Sequence, residues 1–292
     1  MFMKRLAAGL LVLVIFAVLL GSCANILPPK VEETPTPTPT PDVPATTVPK
    51  EKPGDKPKPS PTETPEITAS PALDFIPQMS ELVYSDTVDV GQGRVLVATG
   101  FYPQTGVPVI DSYYVARRDL LIEEVDTWAE EFRTYEDEPD WITEYEISDD
   151  YEIIKNSGNI LSVHRIYYMY TGGAHGYAGD SCDNFRISDG KRLTLDDIFD
   201  CSFEVYKADI CAVFDAYIDA DFASTDDGYG TIGFFEDAKE TLHELFPSEE
   251  FCITETGLNF YLSAYYVGPY ASGTIEIPVA WADLTVPLKN FR

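Results

Sequence analysis

The residues able to do chemistry in this chain are few and scattered. Its 292 residues hold three histidines, His164, His175 and His243, and five cysteines. His175 stands in Tyr170-Thr171-Gly172-Gly173-Ala174-His175-Gly176, where three glycines bring an imidazole and a phenol into one tight turn. An imidazole moves protons near neutral pH and is a common metal ligand. As a general base it needs a partner that orients it, and as a zinc ligand it needs two or three companions. No second histidine lies near His175, and no Ser or Cys motif accompanies it. The turn is therefore read as structural or ligand-contacting, with no catalytic residue, metal or cofactor assigned.

The other candidates are weaker as chemistry. Tyr265, Tyr266 and Tyr270 flank Pro269 and are either aromatic anchors for a ligand or core and sheet-edge tyrosines. Asp219 and Asp221 with Asp226, Asp227 and Gly228 lack the Asp-x-Asp-x-Asp-Gly order of an EF-hand, and read as the loop after a helix. None of Cys182, Cys201, Cys211 and Cys252 shows Cys-x-x-Cys spacing, so zinc or thioredoxin-type chemistry is not expected. One or two disulfides remain open, as does a buried thiol at Cys211.

The fifth cysteine has a different setting. Lys4 and Arg5 precede an apolar run from Leu6 to Leu20, and Leu20-Gly21-Ser22-Cys23 closes it. The run is shorter than the roughly 20 apolar residues of a spanning helix and has the layout of an export signal. The last four residues resemble a bacterial lipobox, which implies cleavage before Cys23 and lipidation of its sulfur. Residues 1–22 are then a lipoprotein signal peptide. Residues 23–71 hold fourteen of the 22 prolines, many in Thr-Pro repeats, and are expected to be a disordered, extended tether. The expected location is the outer face of the bacterial cytoplasmic membrane, with the domain reaching into the wall.

From Ala72 onward Asp and Glu outnumber Lys and Arg by 42 to 13, so the folded part carries the whole net charge of −29. That argues against nucleic acid or an anionic membrane face as partner, and suits a basic one. Strands are expected at 94–101, 141–155, 160–170, 184–187, 250–254, 258–265 and 274–281. Asn156-Ser157-Gly158-Asn159 marks a hairpin turn between two of them, and Tyr102 to Gly106 a turn after the first. Helices are expected at 113–135, 203–222 and around Phe235 to Leu245. Their buried stripes are Leu121, Val125, Trp128 and Phe132 in the first, and Tyr206, Ile210, Val213 and Tyr217 in the second. Glu123, Glu124, Glu130 and Glu131 read as a solvated face of the first helix. Strands mixed with segregated helices and no βαβ rhythm indicate an α+β fold with antiparallel sheet and about three amphipathic helices. The folded part divides into an upstream subdomain at 72–160 and a C-terminal one at 161–292 that contains the glycine turn.

Two ordered sets of motifs carry a family resemblance. Tyr170 to Gly176, Asp189-Gly190-Lys191 and Leu193 to Phe199 form the first. Thr256 to Phe260, Tyr265 to Gly273 and Ile277-Pro278 form the second. Together they resemble an extracellular domain of unknown function found in the lysozyme-sensing anti-sigma factor of Gram-positive bacteria and beside the catalytic domain of peptidoglycan deacetylases. Arg94 to Phe132 is similar to the subdomain that precedes it there. The resemblance implies a non-enzymatic sensor or accessory domain, here on a lipid tether, that binds lysozyme or another basic protein, or else peptidoglycan. Tyr170, Gly172, Gly173, His175, Gly176, Tyr265, Tyr266 and Tyr270 are the candidate contact residues.

Overall fold

The computed structural model describes residues 74–291 apart from Pro77, 137–140 and Asp227; the signal segment, Cys23 and the tether lie outside the described residues. The described part opens with a long hairpin, β1 (Ser80–Gly91) and β2 (Arg94–Gln104), turned at Gly91, Gln92 and Gly93, all three at positive φ. β1 was not expected from the sequence. Most of its residues are exposed, as suits an edge strand, and Val83 and Asp86 interrupt the alternation of Leu82, Tyr84, Val88 and Val90 that faces inward.

β2 runs three residues past the expected stop, through Tyr102-Pro103-Gln104. Pro103 sits opposite Glu81 of β1, whereas pairing of β2 with β3 ends at Gly100, so its missing N–H falls where no second neighbour needs it. α1 (Pro108–Arg133) begins with a proline in its first turn, five residues before the expected start. Asp111 folds back to accept hydrogen bonds from the backbone N–H and the hydroxyl of Thr105, at 2.6 and 2.7 Å. The helix then carries the chain across the sheet to β3 (Glu144–Ser157), which lies parallel to β2. The expected α+β fold with antiparallel sheet is present, and this one βαβ unit adds a single parallel pair to it. A 26-residue helix supplies the long crossover that a parallel neighbour requires.

β3 and β4 (Ile160–Tyr170) form the expected hairpin, with Gly158 and Asn159 both left-handed at its tip. β5 (Tyr177–Arg186) and β6 (Lys191–Arg192) complete a six-stranded sheet in the order β1 to β6. That sheet runs unbroken through residues 160 and 161. β7 (Phe251–Ile253), β8 (Gly257–Leu262) and β9 (Ile275–Ala280) make a second, three-stranded antiparallel sheet. Between the sheets in sequence stand the short α2 (Leu195–Ile198), α3 (Phe203–Phe222) and α4 (Ala238–Glu244).

The layers follow from which residues touch. α1 covers one face of the large sheet, close enough that a Cβ on Gly100 would lie 2.8 Å from Leu121. The other face of β4 and β5 meets the small sheet, where Asn184 donates to the Phe251 carbonyl at 2.7 Å. α3 packs on the far side of the small sheet, with the rings of Phe214 and Phe260 at 4.9 Å. That contact selects Tyr206, Ile210, Phe214 and Ile218 as the buried stripe, and leaves the expected Val213 and Tyr217 only half-buried. In α1 the buried set is Ile110, Tyr114, Leu121, Val125, Ala129 and Phe132, with Trp128 half-buried. Among the described residues no helix is long and apolar enough to cross a membrane.

Candidate functional site

β4 sets up the site. Its residues from Ile160 to His164 are buried, with Ser162 and His164 under the small sheet, whereas Ile166 (39% exposed), Tyr168 and Tyr170 on that same face emerge from its rim. The glycine turn follows, with Gly172 and Gly173 at φ 86° and 112° and the Tyr170 hydroxyl donating to the Gly173 carbonyl at 3.0 Å. Gly176 presses on the Tyr168 ring, where any side chain would collide.

The loop joining β8 to β9 reaches over to this turn. The imidazole of His175 stacks on Tyr270 with centroids 3.8 Å apart and planes at 21°. Tyr265 lies 5.9 Å from Tyr270 on the outer side and is 55% exposed. Tyr265 also has φ 71°, a left-handed conformation that a bulky side chain rarely adopts. It is held by a hydrogen bond from its N–H to the Gly268 carbonyl at 2.9 Å. Burial and the Glu146 carboxylate push the Tyr168 phenol above its ordinary range, with Tyr270 and Tyr170 as further neighbours. Tyr168, Tyr170, His175, Tyr265 and Tyr270 therefore form one surface aromatic cluster. Tyr266 turns the opposite way and donates its hydroxyl to the Leu245 carbonyl beyond α4.

An acidic stripe borders this cluster. Cross-strand partners in an antiparallel pair share a face. The register sets Glu146 opposite Tyr170, Ser148 opposite Tyr168, Asp150 opposite Ile166 and Glu152 opposite His164. Glu144, Asp150 and Glu152 are exposed and Glu146 is half-buried. The polar alternation from Glu144 to Glu152 was visible in the sequence, but only the register shows which tyrosines stand beside it.

The imidazole Nδ1 of His175 pairs with the Gly176 carbonyl at 2.9 Å, a backbone oxygen that fixes the orientation of the ring. The buried histidine with a carboxylate partner is His164, whose Nε2 lies 2.8 Å from Asp180 Oδ1 between the sheets. Its ring also stacks on Tyr261 at 3.8 Å, and Thr274 donates to the second Asp180 oxygen at 2.8 Å. This pair is buried and serves to register the two sheets. His243 meets Asp215 at 3.1 Å, joining α4 to α3 at the surface.

Beneath α1 lies a buried charged cluster that sequence reasoning missed. Arg165 of β4 pairs with Asp149 of β3, both nearly inaccessible. Asp183 of β5 accepts from the Tyr113 hydroxyl at 2.6 Å and is approached by Arg192 at 3.4 Å. Glu124, expected on a solvated face, instead accepts from the Tyr167 hydroxyl at 2.6 Å. Burial raises its pKa, partly offset by hydrogen bonds from Tyr167 and Trp128. The acidic loop after α3 is also structural. Asp221 accepts from the backbone N–H of Thr231 at 2.9 Å and from its hydroxyl at 3.1 Å, and Asp219 pairs with Lys239 at 2.5 Å. Among the described residues no group of three or more His, Cys, Asp or Glu is placed to hold a metal ion. A groove of about 660 Å³ between α3 and β9 is lined by Asp209, Val213, Tyr217, Pro278 and Ala280, and holds no member of the aromatic cluster.

The aromatic cluster forms between two segments that match different families. Residues 110–178, which include Tyr168, Tyr170 and His175, match the family described as deacetylase PdaC. Residues 196–282, which include Tyr265 and Tyr270, match a second family model. That model is DUF3298, a protein family of unknown function. Two solved structures share the fold across the described part. A DUF3298 family member from Bacteroides fragilis is 20% identical with a TM-score of 0.54, over 74% of this chain and 95% of its own. A DUF3298 family protein from Pseudomonas aeruginosa is 17% identical with a TM-score of 0.53, over 75% of this chain and 97% of its own. No curated protein matches the chain. The fold is thus shared with these structures, with the PdaC match running from residue 110 to 178 and the DUF3298 match from 196 to 282.

Proposed function

We propose that this chain is a non-enzymatic envelope protein, lipid-anchored through Cys23, whose folded domain binds a basic protein ligand through the aromatic cluster of Tyr168, Tyr170, His175, Tyr265 and Tyr270. The observation that carries this reading is the register that sets Glu146 opposite Tyr170 and Asp150 opposite Ile166. Exposed aromatic rings supply contact area at low entropic cost, and the bordering carboxylates attract an opposite charge. The family resemblance makes a c-type lysozyme the first ligand to try, in a decoy or sensing role. A tether of 49 residues from Cys23 to Pro71 would hold the domain clear of the membrane surface.

A second reading rests on the His175–Tyr270 stack. Flat, exposed aromatic faces also take sugar rings, and the match to a deacetylase family favours a peptidoglycan glycan as the alternative ligand. Salt separates the two. Binding to lysozyme should weaken as ionic strength rises, yet exceed binding to a basic control protein of similar charge at ~0.15 M salt. Binding to soluble peptidoglycan fragments should change little with salt. Equal, weak capture of lysozyme and the control protein, lost at ~0.15 M salt, would reject the first reading. Salt-insensitive capture of fragments would establish the second.

A further inference from the structure

We infer that Cys182 and Cys252 are a disulfide-forming pair that joins the two sheets covalently in the exported protein. Cys182 lies on β5 and Cys252 on β7, with their sulfurs 2.9 Å apart and both residues buried. A disulfide of about 2.05 Å needs each sulfur to move by only about 0.4 Å. The pair sits in a small apolar cluster of its own with Tyr261 and Ile154, and the Tyr261 ring also stacks on His164, the cross-strand partner of Cys182.

The two remaining cysteines of the folded part have other settings. Cys211 faces the Leu242 carbonyl inside the helical core, and burial pushes its thiol up to about 11. Cys201 is half-buried in the segment between α2 and α3. Four cysteines allow six single pairs, and among the described residues Cys182 and Cys252 are the pair with sulfurs in hydrogen-bond contact. Exported chains meet an oxidising environment, so the inference rests on the export reading for its occurrence in the cell, but on geometry alone for its capacity to form.

The chemistry is dithiol–disulfide exchange. One thiolate attacks a disulfide-bearing oxidant, giving a mixed disulfide and releasing a thiol. The second cysteine sulfur then displaces the other thiol, so two electrons and two protons leave with the reduced oxidant. Burial, reinforced by Cys252, holds the Cys182 thiol well above its ordinary range in the closed fold. With both cysteines buried between the sheets, an external oxidant reaches them while the sheets are still apart, before β7 covers β5.

The test is to refold the full chain in oxidised and reduced glutathione, block free thiols with N-ethylmaleimide, and map the peptides by mass spectrometry without reduction. A Cys182–Cys252 linked peptide, with Cys201 and Cys211 alkylated, is the expected result. Adding a reductant that opens the link should lower the thermal midpoint by on the order of 10 °C, because the link closes a loop of 70 residues. The Cys182→Ser, Cys252→Ser double variant should show no such reductant effect. Alkylation of Cys182 and Cys252 to the same extent as Cys201 would overturn the inference. A link that forms on refolding but is missing from chain isolated from the cell envelope would instead count against the export reading.

Discussion

The ring of His175 lies flat against that of Tyr270 at 3.8 Å, although one belongs to the large sheet's glycine turn and the other to the small sheet's last loop. This contact closes the surface over the junction of two segments that match separate families. Beneath it the seam carries a line of polar contacts beside the small apolar cluster of Cys182, Cys252 and Tyr261: His164 on Asp180, Ser263 accepting from the Asp180 N–H at 2.8 Å, and Asn184 joining Ser162 to β7. The cluster at the rim therefore rests on a floor whose geometry is fixed by hydrogen bonds.

Tyr265 is strained where it sits, at φ 71° with a bulky side chain. Tyr265→Asn should raise stability by up to about 1 kcal/mol, since Asn tolerates the left-handed region, while weakening ligand binding about tenfold. Urea unfolding and a binding titration on the same variant check both halves. A loss of stability would mean that the phenol contributes more through packing than its backbone costs.

Arg165 has Asp149 and Asp183 as its buried neighbours. Arg165→Met should cost about 3–5 kcal/mol, because it leaves the buried Asp149 without its paired cation under α1 and Asp183 with only the Arg192 ion pair. Pairing it with Asp149→Leu should recover part of that loss. Denaturant midpoints of the single and double variants decide this; additive losses would contradict it.

Gly100 is tight against α1, with Leu121 and Tyr102 at 2.8 and 2.9 Å from where a Cβ would stand. Gly100→Ala should destabilise by about 1–3 kcal/mol as the helix is pushed from the sheet. Tyr168 can swing clear of Gly176, so Gly176→Ala should reduce binding more than stability. Thermal melts of both variants, with binding measured on Gly176→Ala, test the contrast.

Acid and alkaline limbs of stability have different owners. Burial raises Glu124 and Glu250 above the ordinary glutamate value, so each favours the fold fully below the unfolded value of about 4.3 and loses that contribution as pH rises through its folded value. The hydrogen bond from Arg186 holds Asp189 below its ordinary value, so its contribution is present above about 3.9 and is lost as pH falls through the lower folded value. Urea midpoints should therefore decline from about pH 4.5 towards 7, and decline again in stronger acid. Glu124→Gln with Glu250→Gln should flatten the first decline only; an unchanged profile would refute the assignment.

Much of the fold was legible because its signals were local. β4, the Gly158–Asn159 hairpin and α3 follow from alternation, turn residues and a 3.6-residue period. β1 escaped because Val83 and Asp86 interrupt the alternation of Leu82, Tyr84, Val88 and Val90. The parallel β2–β3 pair escaped because the crossover is set by how α1 packs, which no stretch of sequence states. His175, Tyr170 and Tyr270 were legible as candidates through their motifs. That Tyr265 joins them while its neighbour Tyr266 turns to Leu245 depends on the left-handed backbone at Tyr265. The Asp149–Arg165 pair and the Cys182–Cys252 pair are products of sheet register and layer stacking, and neither spacing nor residue type announces them.

The central claim is that the aromatic cluster and its acidic border bind one basic ligand. The most direct measurement is lysozyme binding at ~0.15 M salt by the domain, by Tyr270→Ala, and by a variant with Glu146→Gln, Asp150→Asn and Glu152→Gln. Tyr270→Ala should weaken binding about tenfold or more, chiefly through faster dissociation, and the charge variant should mainly slow association. Unchanged affinity and rates in both variants, with their thermal stability intact, would contradict the claim and remove the cluster as the binding site.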